Sequence, residues 1–403
     1  MSILAFIESN TTGTGRLFLR AARAERCIPV LIARDRRRYP CAQEEGVRVI
    51  EADTSDEAEL IALLCDIDAE AGLAGITSTS DYFIATAARV AAHFGLAAPS
   101  PAAIDRCRDK ARQHARLREF GVPVPNAISA GNVAQALAAA VAIGLPAVVK
   151  PAGGSGSVGV RLCRSIDEVE VHAATLLAQS ANERGLAVRP AVLVQAFVEA
   201  REFSVETLAG EVIGITAKHV SAPPTFVELG HDFPASLGTA EARALADITR
   251  AAVAALDLCW GAAHTELRLG LDGPCVIEVN ARLAGGFIPE LIRRATGLDP
   301  IRELVRIVLA RPVRRAPPLR GHASIRFLVP PRAGTLAAVE GVPAAAAVEG
   351  ICDVGLYRAP GSPIALAGDF HDRIGHVIAA AASAEVCRGG AERALALLTP
   401  TIE

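Results

Sequence analysis

Lys150 lies in the stretch of this sequence with the clearest chemical pattern. It ends a short, mostly apolar run that starts at Leu145, and four of the seven residues from 153 to 159 are glycine. Val158 and Val160 then resume the alternation of a strand. Glycine lets backbone N–H groups approach phosphate oxygens closely, and lysine adds a compact positive charge beside them. The pattern predicts a strand–loop–strand flap over a phosphate-bearing ligand, with an ordinary glycine-rich hairpin as the alternative.

Lysine is rare in this chain, which makes its positions informative. Lysine and arginine together number 41, but lysine occurs only at Lys110, Lys150 and Lys218. Arginine therefore supplies the ordinary surface charge, and each lysine is expected where a compact ammonium is needed and a planar guanidinium would not fit. One of the three lies on the predicted flap, and the other two stand where a nucleotide site could use them. Chance placement is the alternative.

A second group of residues could bind a metal ion. Asp272-Gly273 predicts the turn of a β-hairpin. Glu278 and Asn280 are two residues apart on its second strand and therefore face the same side, and the turn can bring Glu266 opposite them. Two carboxylates and an amide oxygen suit Mg²⁺ held between protein and phosphates, with Mn²⁺ as a second candidate. The neighbouring positions are apolar, which favours a metal site over a solvated acidic face.

These residues, in this order, resemble the ATP-grasp superfamily over roughly residues 100–310. The matching positions are Lys110, Lys150 with its flap, residues 194–205, Glu266 and residues 278–282. Within the superfamily the chain most resembles carboxylate–amine ligases of the L-amino acid ligase type. Residues 214–220, 228–234, 280–286 and 324–331 carry this narrower resemblance, which extends it to essentially the whole chain.

The resemblance implies an ATP site. The lysines would contact phosphates, the flap would cover the β- and γ-phosphates, the strand from Gln195 would offer backbone groups to adenine, and Glu202 would bind the ribose hydroxyls. Many relatives carry glutamate in place of Gln195 and Ala196, so the preference for ATP over GTP stays open. The implied cofactor-binding residues are Lys110, Lys150, Gly154, Ser155, Gly156, Ser157, Gln195, Ala196, Phe197, Val198 and Glu202.

The resemblance also implies a reaction. Glu266, Glu278 and Asn280 would hold one or two Mg²⁺ ions, while Lys218 and Arg282 would stabilise charge on the transferred phosphoryl group and on an acyl phosphate. An amine would then attack, which gives an amide, ADP and phosphate. The substrates would be a small carboxylic acid or amino acid and an amine or amino acid.

His231 is the third candidate catalytic residue, besides Lys218 and Arg282. It would orient a substrate or accept a proton from the attacking amine. The alternative is a loop histidine whose hydrogen bonds are satisfied by its neighbours.

Three other functions stay open. A relative of the purine-biosynthetic enzymes would phosphorylate bicarbonate or formate in place of an organic acid. A nucleotide-binding protein without turnover would have no need of Lys218 and Arg282 beside the phosphates. An NAD-linked oxidoreductase would use the turn at residues 9–15, which lacks the third glycine of a dinucleotide fingerprint.

The elements that must position these residues form three regions. Residues 1–100 alternate strands and helices, which predicts a parallel α/β sheet, and the resemblance makes this a Rossmann-like pre-ATP-grasp domain. An ATP-grasp domain is expected at residues 101–312, with its lid at about 112–192. A small α+β domain is expected at residues 313–403. One helix is predicted at about residues 102–120 and another from 165 to about 184.

Composition excludes several classes of protein. The net charge is −3 with both signs mixed and aromatic residues are 4%, which argues against nucleic acid as a partner. The sequence lacks an uninterrupted apolar run of membrane-spanning length, so no membrane segment is predicted. Nine scattered cysteines and the absence of a signal-peptide pattern predict a reduced, cytoplasmic protein. Relatives often dimerise, so a homodimer is an expectation from the family alone.

Overall fold

The computed structural model describes residues 1–11, 14–154, 156–182, 184–187, 190–315 and 317–403. Its folding into mixed α/β layers confirms the predicted fold class. Among these residues, no helix combines the length and apolar character needed to cross a lipid bilayer.

The N-terminal region is a parallel four-stranded sheet with helices packed against it. All five residues of the central strand β1 are buried, as expected for a strand covered on both faces. The strands run in the order β3-β2-β1-β4, so the carboxyl ends of β1 and β4 are neighbours. The elements are β1 (Ile3–Ile7), α1 (Thr14–Ala24), β2 (Ile28–Ala33), α2 (Pro40–Glu44), β3 (Arg48–Glu51), α3 (Glu57–Ala71), β4 (Leu73–Thr77) and α4 (Ile84–His93).

Two short helices, α5 (Pro101–Arg108) and α6 (Lys110–Glu119), follow. The prediction of one helix over residues 102–120 is therefore wrong at Asp109. This residue has extended backbone angles, and its carboxylate accepts hydrogen bonds from the backbone N–H groups of Ala111 and Arg112. Asp109 thus caps a new helix, which makes Lys110 the first residue of α6.

A separate antiparallel sheet carries the flap. Its order is β5-β8-β6-β7, and the flap connects β6 to β7. Helix α8 ends at Leu177, earlier than the predicted end near residue 184, although Ser165 caps its start as expected. The elements are β5 (Ala127–Ala130), α7 (Val133–Ile143), β6 (Ala147–Pro151), β7 (Arg161–Cys163), α8 (Ile166–Leu177) and β8 (Val192–Ala196).

A larger sheet of eight strands joins the central and C-terminal regions, in the order β13-β12-β9-β10-β11-β14-β18-β16. Its central members are β9 (Arg201–Leu208), β10 (Glu211–Val220), β11 (Glu228–Phe233), β12 (Ala262–Gly270) and β13 (Gly273–Asn280), with α9 (Thr239–Ala255), α10 (Ile288–Thr296) and α11 (Pro300–Val308). The C-terminal elements are β14 (His322–Leu328), β15 (Gly334–Glu340), α12 (Val342–Ala346), β16 (Ile351–Leu356), β17 (Pro363–Ile364), β18 (Gly375–Ala381), α13 (Ala384–Ala396) and β19 (Thr399–Ile402). Because β14 pairs with β11, the sheet continues across the predicted domain boundary at residue 312.

Candidate active site

Two adjoining cavities lie where the flap, the eight-stranded sheet and the N-terminal region meet. The smaller cavity, of about 110 Å³, lies under the flap. The larger cavity, of about 540 Å³, extends to the ends of β1 and β4. Gly156, Glu228, Glu266 and Arg282 line both cavities. Molecules bound in the two cavities would therefore meet at these four residues.

The smaller cavity brings together most of the residues predicted to bind a nucleotide. Ala196 does not line it, and Ser155 lies outside the described residues. The predicted nucleotide-binding residues that line the smaller cavity are Lys110, Lys150, Gly154, Gly156, Ser157, Gln195, Phe197, Val198 and Glu202.

Two lysines approach this cavity from different elements. Lys110, at the start of α6, donates a hydrogen bond of 2.7 Å to the carbonyl oxygen of Gly154 and lies 3.3 Å from a carboxylate oxygen of Glu278. Lys150, on β6, is buried, and burial lowers its pKa to about 8 although Glu278 opposes this shift. A bound polyanion would raise the pKa of Lys150 again, because negative charge nearby favours the protonated ammonium.

The third lysine lies at the centre of an acidic cluster. The Nζ atom of Lys218 on β10 is 3.1 Å from a carboxylate oxygen of each of Glu202, Glu228 and Glu266. Strand register accounts for the first contact, because Lys218 pairs with Glu202 on β9. Burial lowers the pKa of Lys218, but the three carboxylates outweigh it and hold the pKa well above its usual value. Lys218 lines neither cavity itself, but it is a fixed positive charge in contact with Glu228 and Glu266, which line both.

Glu228 is a member of this cluster that the sequence analysis did not assign to the site. Burial raises its pKa, but the nearby cations, Lys218 above all, lower it to about 2, so the carboxylate is ionised. Arg373, from the C-terminal region, donates to it at 3.0 Å. Glu228 lies in residues 228–234, which carry the resemblance to the L-amino acid ligases and also contain His231, and this was the signal that could have identified it.

The predicted metal ligands lie on neighbouring strands. Glu266 on β12 pairs directly with Glu278 on β13, and Asn280 pairs with His264. His264 lies 2.7 Å from Glu206 and 3.1 Å from Glu266. Burial lowers the pKa of His264, but Glu206 and Glu266 raise it to about 9, so a protonated imidazole orients Glu266.

This donor set fits Mg²⁺, since carboxylate and amide oxygens are ligands that the ion prefers. Among the described residues, no three Asp, Glu, His or Cys side chains converge to hold a metal by themselves. The remaining ligands would thus be Asn280 and the oxygens of a bound phosphate or water, as is usual for this ion.

The other two candidate catalytic residues, Arg282 and His231, differ in whether they reach a cavity. Arg282 lines both cavities and its Nε atom lies 2.6 Å from Asp81, which follows β4. His231 is not in a loop: it lies on β11, is fully buried and lines neither cavity. Gly286 separates it from the larger cavity, because a Cβ atom built there would come within 2.5 Å of His231 Nε2.

Burial lowers the pKa of His231 to about 3, so its ring is neutral. It lies 3.7 Å from Glu228. Within the described residues neither ring nitrogen of His231 has a hydrogen-bond partner, so its position favours packing beside Glu228 and Gly286 over direct contact with a substrate.

Two groups near the flap were missed by the sequence analysis. Arg268 donates to the carbonyl oxygen of Val198 and to Glu202, and its guanidinium lies over the rings of Phe197 and Phe226. Arg268 follows Glu266 by two residues and therefore faces the same side of β12, which is the signal that could have identified it.

Phe370 belongs to a C-terminal loop that contacts the flap directly. Its backbone N–H lies 3.4 Å from the carbonyl oxygen of Gly156, and a Cβ atom on Gly156 would come within 2.6 Å of its ring. No local pattern links these positions, which are more than two hundred residues apart.

Comparison with known proteins identifies the family. Residues 143–290 match the model of the ATP-grasp domain, and residues 326–403 match L-amino acid ligase C-terminal domain 2. The chain is 38% identical over 374 residues to the uncharacterized protein y4rH of Sinorhizobium fredii, which covers 93% of this chain and 78% of that protein.

Two further comparisons are more distant. The chain is 23% identical over 291 residues to the L-arginine-specific L-amino acid ligase of Bacillus subtilis, covering 70% of this chain and 69% of that protein. The crystal structure of the L-amino acid ligase from Bacillus licheniformis superposes with a TM-score of 0.82 at 20% identity, and the match covers 100% of this chain and 99% of that one. The chain therefore belongs to the ATP-grasp ligases, in the group that carries the L-amino acid ligase C-terminal domain 2.

Proposed function

We propose that this protein joins a carboxylic acid or amino acid to an amine or amino acid through an acyl phosphate, at the expense of ATP. The observation that carries the proposal is the junction of the two cavities at Glu228, Glu266, Arg282 and Gly156. ATP in the smaller cavity would direct its γ-phosphate toward this junction, and the acid in the larger cavity would present its carboxylate there. Transfer between bound reactants requires such a shared boundary.

The charges at the junction suit the first step. An oxygen of the acid attacks the γ-phosphorus, an O–P bond forms, and the bond to ADP breaks. Lys110, Lys150 and Lys218 would offset the charge that the phosphates concentrate there, and Arg282 would stabilise the acyl phosphate. Glu266, Glu278 and Asn280 would hold Mg²⁺, which when bound neutralises phosphate charge and polarises the P–O bonds.

The second step uses the larger cavity. The nitrogen of the amine attacks the acyl carbon, the C–N bond forms, and phosphate leaves. The ionised Glu228, on the wall of this cavity, would attract the amine as an ammonium ion before it loses its proton. His231 would act as a positioning residue that packs beside Glu228, 3.7 Å away, without a hydrogen bond to it. The contact between Phe370 and Gly156 would keep the flap closed, which excludes water from the acyl phosphate.

The volume of the larger cavity favours an organic acid over the bicarbonate or formate alternative. About 540 Å³ lies in the range of sites for whole organic ligands, and a one-carbon acid would leave most of it empty. The chain's likeness to an L-amino acid ligase supports amino acids as the first substrates to examine.

The decisive experiment is mass spectrometry of the products formed from ATP, Mg²⁺ and a mixed pool of amino acids. We expect ADP, phosphate and a new amide in equal amounts. When the acid carries ¹⁸O in its carboxylate, one labelled oxygen should appear in the released phosphate. Amide formation without that transfer would contradict the acyl phosphate, and ADP formation with bicarbonate alone would favour the second function.

A further inference from the structure

The end of the larger cavity at β1 and β4 is rich in polar groups that the proposed chemistry does not use. It is formed by the residues that follow β1 and β4, among them Ser9, Thr79 and Ser80. Two arginines complete this end: Arg38, which follows β2, and Arg184, from the segment before β8. We call these two arginines and the adjoining hydroxyl groups the distal site.

Arg184 links the flap-bearing region to the N-terminal region. Its Nη2 atom donates to the backbone oxygen of Ser9 at 2.8 Å and to the hydroxyl of Tyr39 at 2.9 Å. Arg38 in turn donates to the backbone oxygen of Arg184 at 3.0 Å. The guanidinium of Arg184 is therefore fixed in place, with a side chain only 11% exposed.

Nearby carboxylates match the positive charge of these arginines only in part. Among the described residues, the carboxylate paired with Arg184 is Glu8, at 4.0 Å, and Arg38 has no ion pair. Glu8 is already engaged by the hydroxyls of Tyr39 and Thr54. Tyr39 is itself neutral, because burial and Glu8 raise its pKa to about 12.

Two of the neighbouring arginines are paired with carboxylates. Arg34 pairs with Asp53, and Arg37 pairs with Asp35 at 2.9 Å. Asp81, the acidic residue on the adjoining wall of the cavity, is paired with Arg282. Positive charge is thus in excess at the distal site, in a concave place where Arg guanidinium groups recognise oxyanions well.

We propose that the distal site binds a second anionic group, a carboxylate or a phosphate, carried by one of the two substrates. Such a substrate has its reacting group at the junction of the cavities and an oxyanion at Arg38 and Arg184, and it spans the cavity that Trp260 lines. The inference deepens the proposed function by naming the class of substrate, and it rests on that function for the identity of the reacting end. Because Arg184 belongs to the flap-bearing region, the same anion would also help to hold that region against the N-terminal one.

An intrinsic fluorophore can report binding in this cavity. Trp260 is the single tryptophan of the chain and it lines the larger cavity. Its fluorescence can therefore report binding without any turnover. Matched pairs of probes would be titrated in the presence of ADP and Mg²⁺: L-glutamate against L-glutamine, O-phospho-L-serine against L-serine, and the dipeptides Ala-Glu against Ala-Gln.

We expect at least one anionic probe to bind about tenfold or more tightly than its neutral partner, as charge-assisted hydrogen bonds imply. The carboxylate and phosphate arms identify which oxyanion the site prefers. Arg184→Ala and Arg38→Ala should each reduce that preference. Arg37→Ala is the matched control, since Arg37 is exposed, paired with Asp35 and absent from the cavity wall, and it should leave the preference unchanged.

Equal binding of all charged and neutral partners, or no binding of any probe at millimolar concentrations, would overturn the proposal. So would a preference that survives both arginine substitutions. If Arg184→Ala does not fold, Arg38→Ala still decides the question, because Arg38 is exposed. A failure of ligation with an intact anion preference would count against the proposed function alone, since the titration does not depend on product formation.

Discussion

Glu266 and Glu278 lie directly opposite each other across the β12–β13 pair, and each is held by a different lysine. Lys218 lies 3.1 Å from Glu266, whereas Lys110 lies 3.3 Å from Glu278. Glu266 therefore lies at the junction of the two cavities, whereas Glu278 lies on the wall of the smaller cavity, next to α6. The two acidic residues are expected to differ in what their removal does.

Glu278→Ala should reduce ADP formation by at least about 100-fold, because loss of a metal ligand costs several kcal/mol of transition-state stabilisation. The fold should survive, since Lys110 keeps its hydrogen bond to Gly154. Steady-state ADP release and circular dichroism check both statements. Asp272→Asn, in the exposed turn of the same hairpin, is the matched control and should retain turnover. Full activity of Glu278→Ala would refute the metal assignment.

Lys218→Met should destabilise the protein by about 3–5 kcal/mol, because it leaves three carboxylates close together without their cation. Urea unfolding at pH 7 measures the change. Arg201→Met, an exposed position on the adjacent β9 whose ion pair with Glu241 is at the surface, should cost about 1 kcal/mol or less. A Lys218→Met variant as stable as the control would show that the cluster does not depend on this charge.

Glu228 should make the protein sensitive to acid. Its pKa is lowered from 4.5 to about 2 in the folded protein, so the folded state binds fewer protons than the unfolded state in that interval. The resulting stability, about 3 kcal/mol, is present above pH 4.5 and is lost as the pH falls toward 2. Urea midpoints between pH 6 and pH 3 should fall less steeply in Glu228→Gln than in the wild type. Glu211→Gln, at an exposed position on β10, should keep the wild-type slope.

Gly156→Ala should uncouple ATP hydrolysis from amide formation. Gly156 has φ of 71° and its added Cβ would come within 2.6 Å of Phe370, so the flap would be strained by roughly 1–3 kcal/mol and displaced. The ratio of ADP to amide product should rise. Gly153→Ala meets no atom closer than 4.0 Å and is the control. A ratio that stays at one in Gly156→Ala would show that the contact with Phe370 does not seal the site.

Much of this site was predictable because its chemistry depends on scarce residue types. Lysine is scarce in this chain: Lys110 and Lys150 line the smaller cavity, and Lys218 contacts Glu228 and Glu266, which line both cavities. Period-two alternation placed Glu278 and Asn280 on one face, and the Asp-Gly turn placed Glu266 opposite. These are local rules, and they hold wherever the strand and its turn are correctly assigned.

The residues that the sequence analysis missed are positioned by tertiary packing. Glu228 begins β11, a strand whose residues 228–233 mix acidic, glycine and histidine positions and show no clear alternation. The strand exists because β10 and β14 pair with it on both sides. Phe370 and Arg373 come from a loop that reaches the flap only after the C-terminal region has folded. The break at Asp109 was missed for a different reason. Helix-forming residues on both sides of Asp109 made the segment resemble one continuous helix, although Asp109 caps a new one.

The pairing of β14 with β11 has a consequence for protein engineering. A chain truncated after residue 312 would expose the hydrogen-bonding edge of β11, the strand that carries Glu228, to other molecules. Such a fragment should self-associate rather than persist as a smaller working enzyme. Chimaeras that exchange residues 313–403 between relatives would therefore have to transplant β11 along with them.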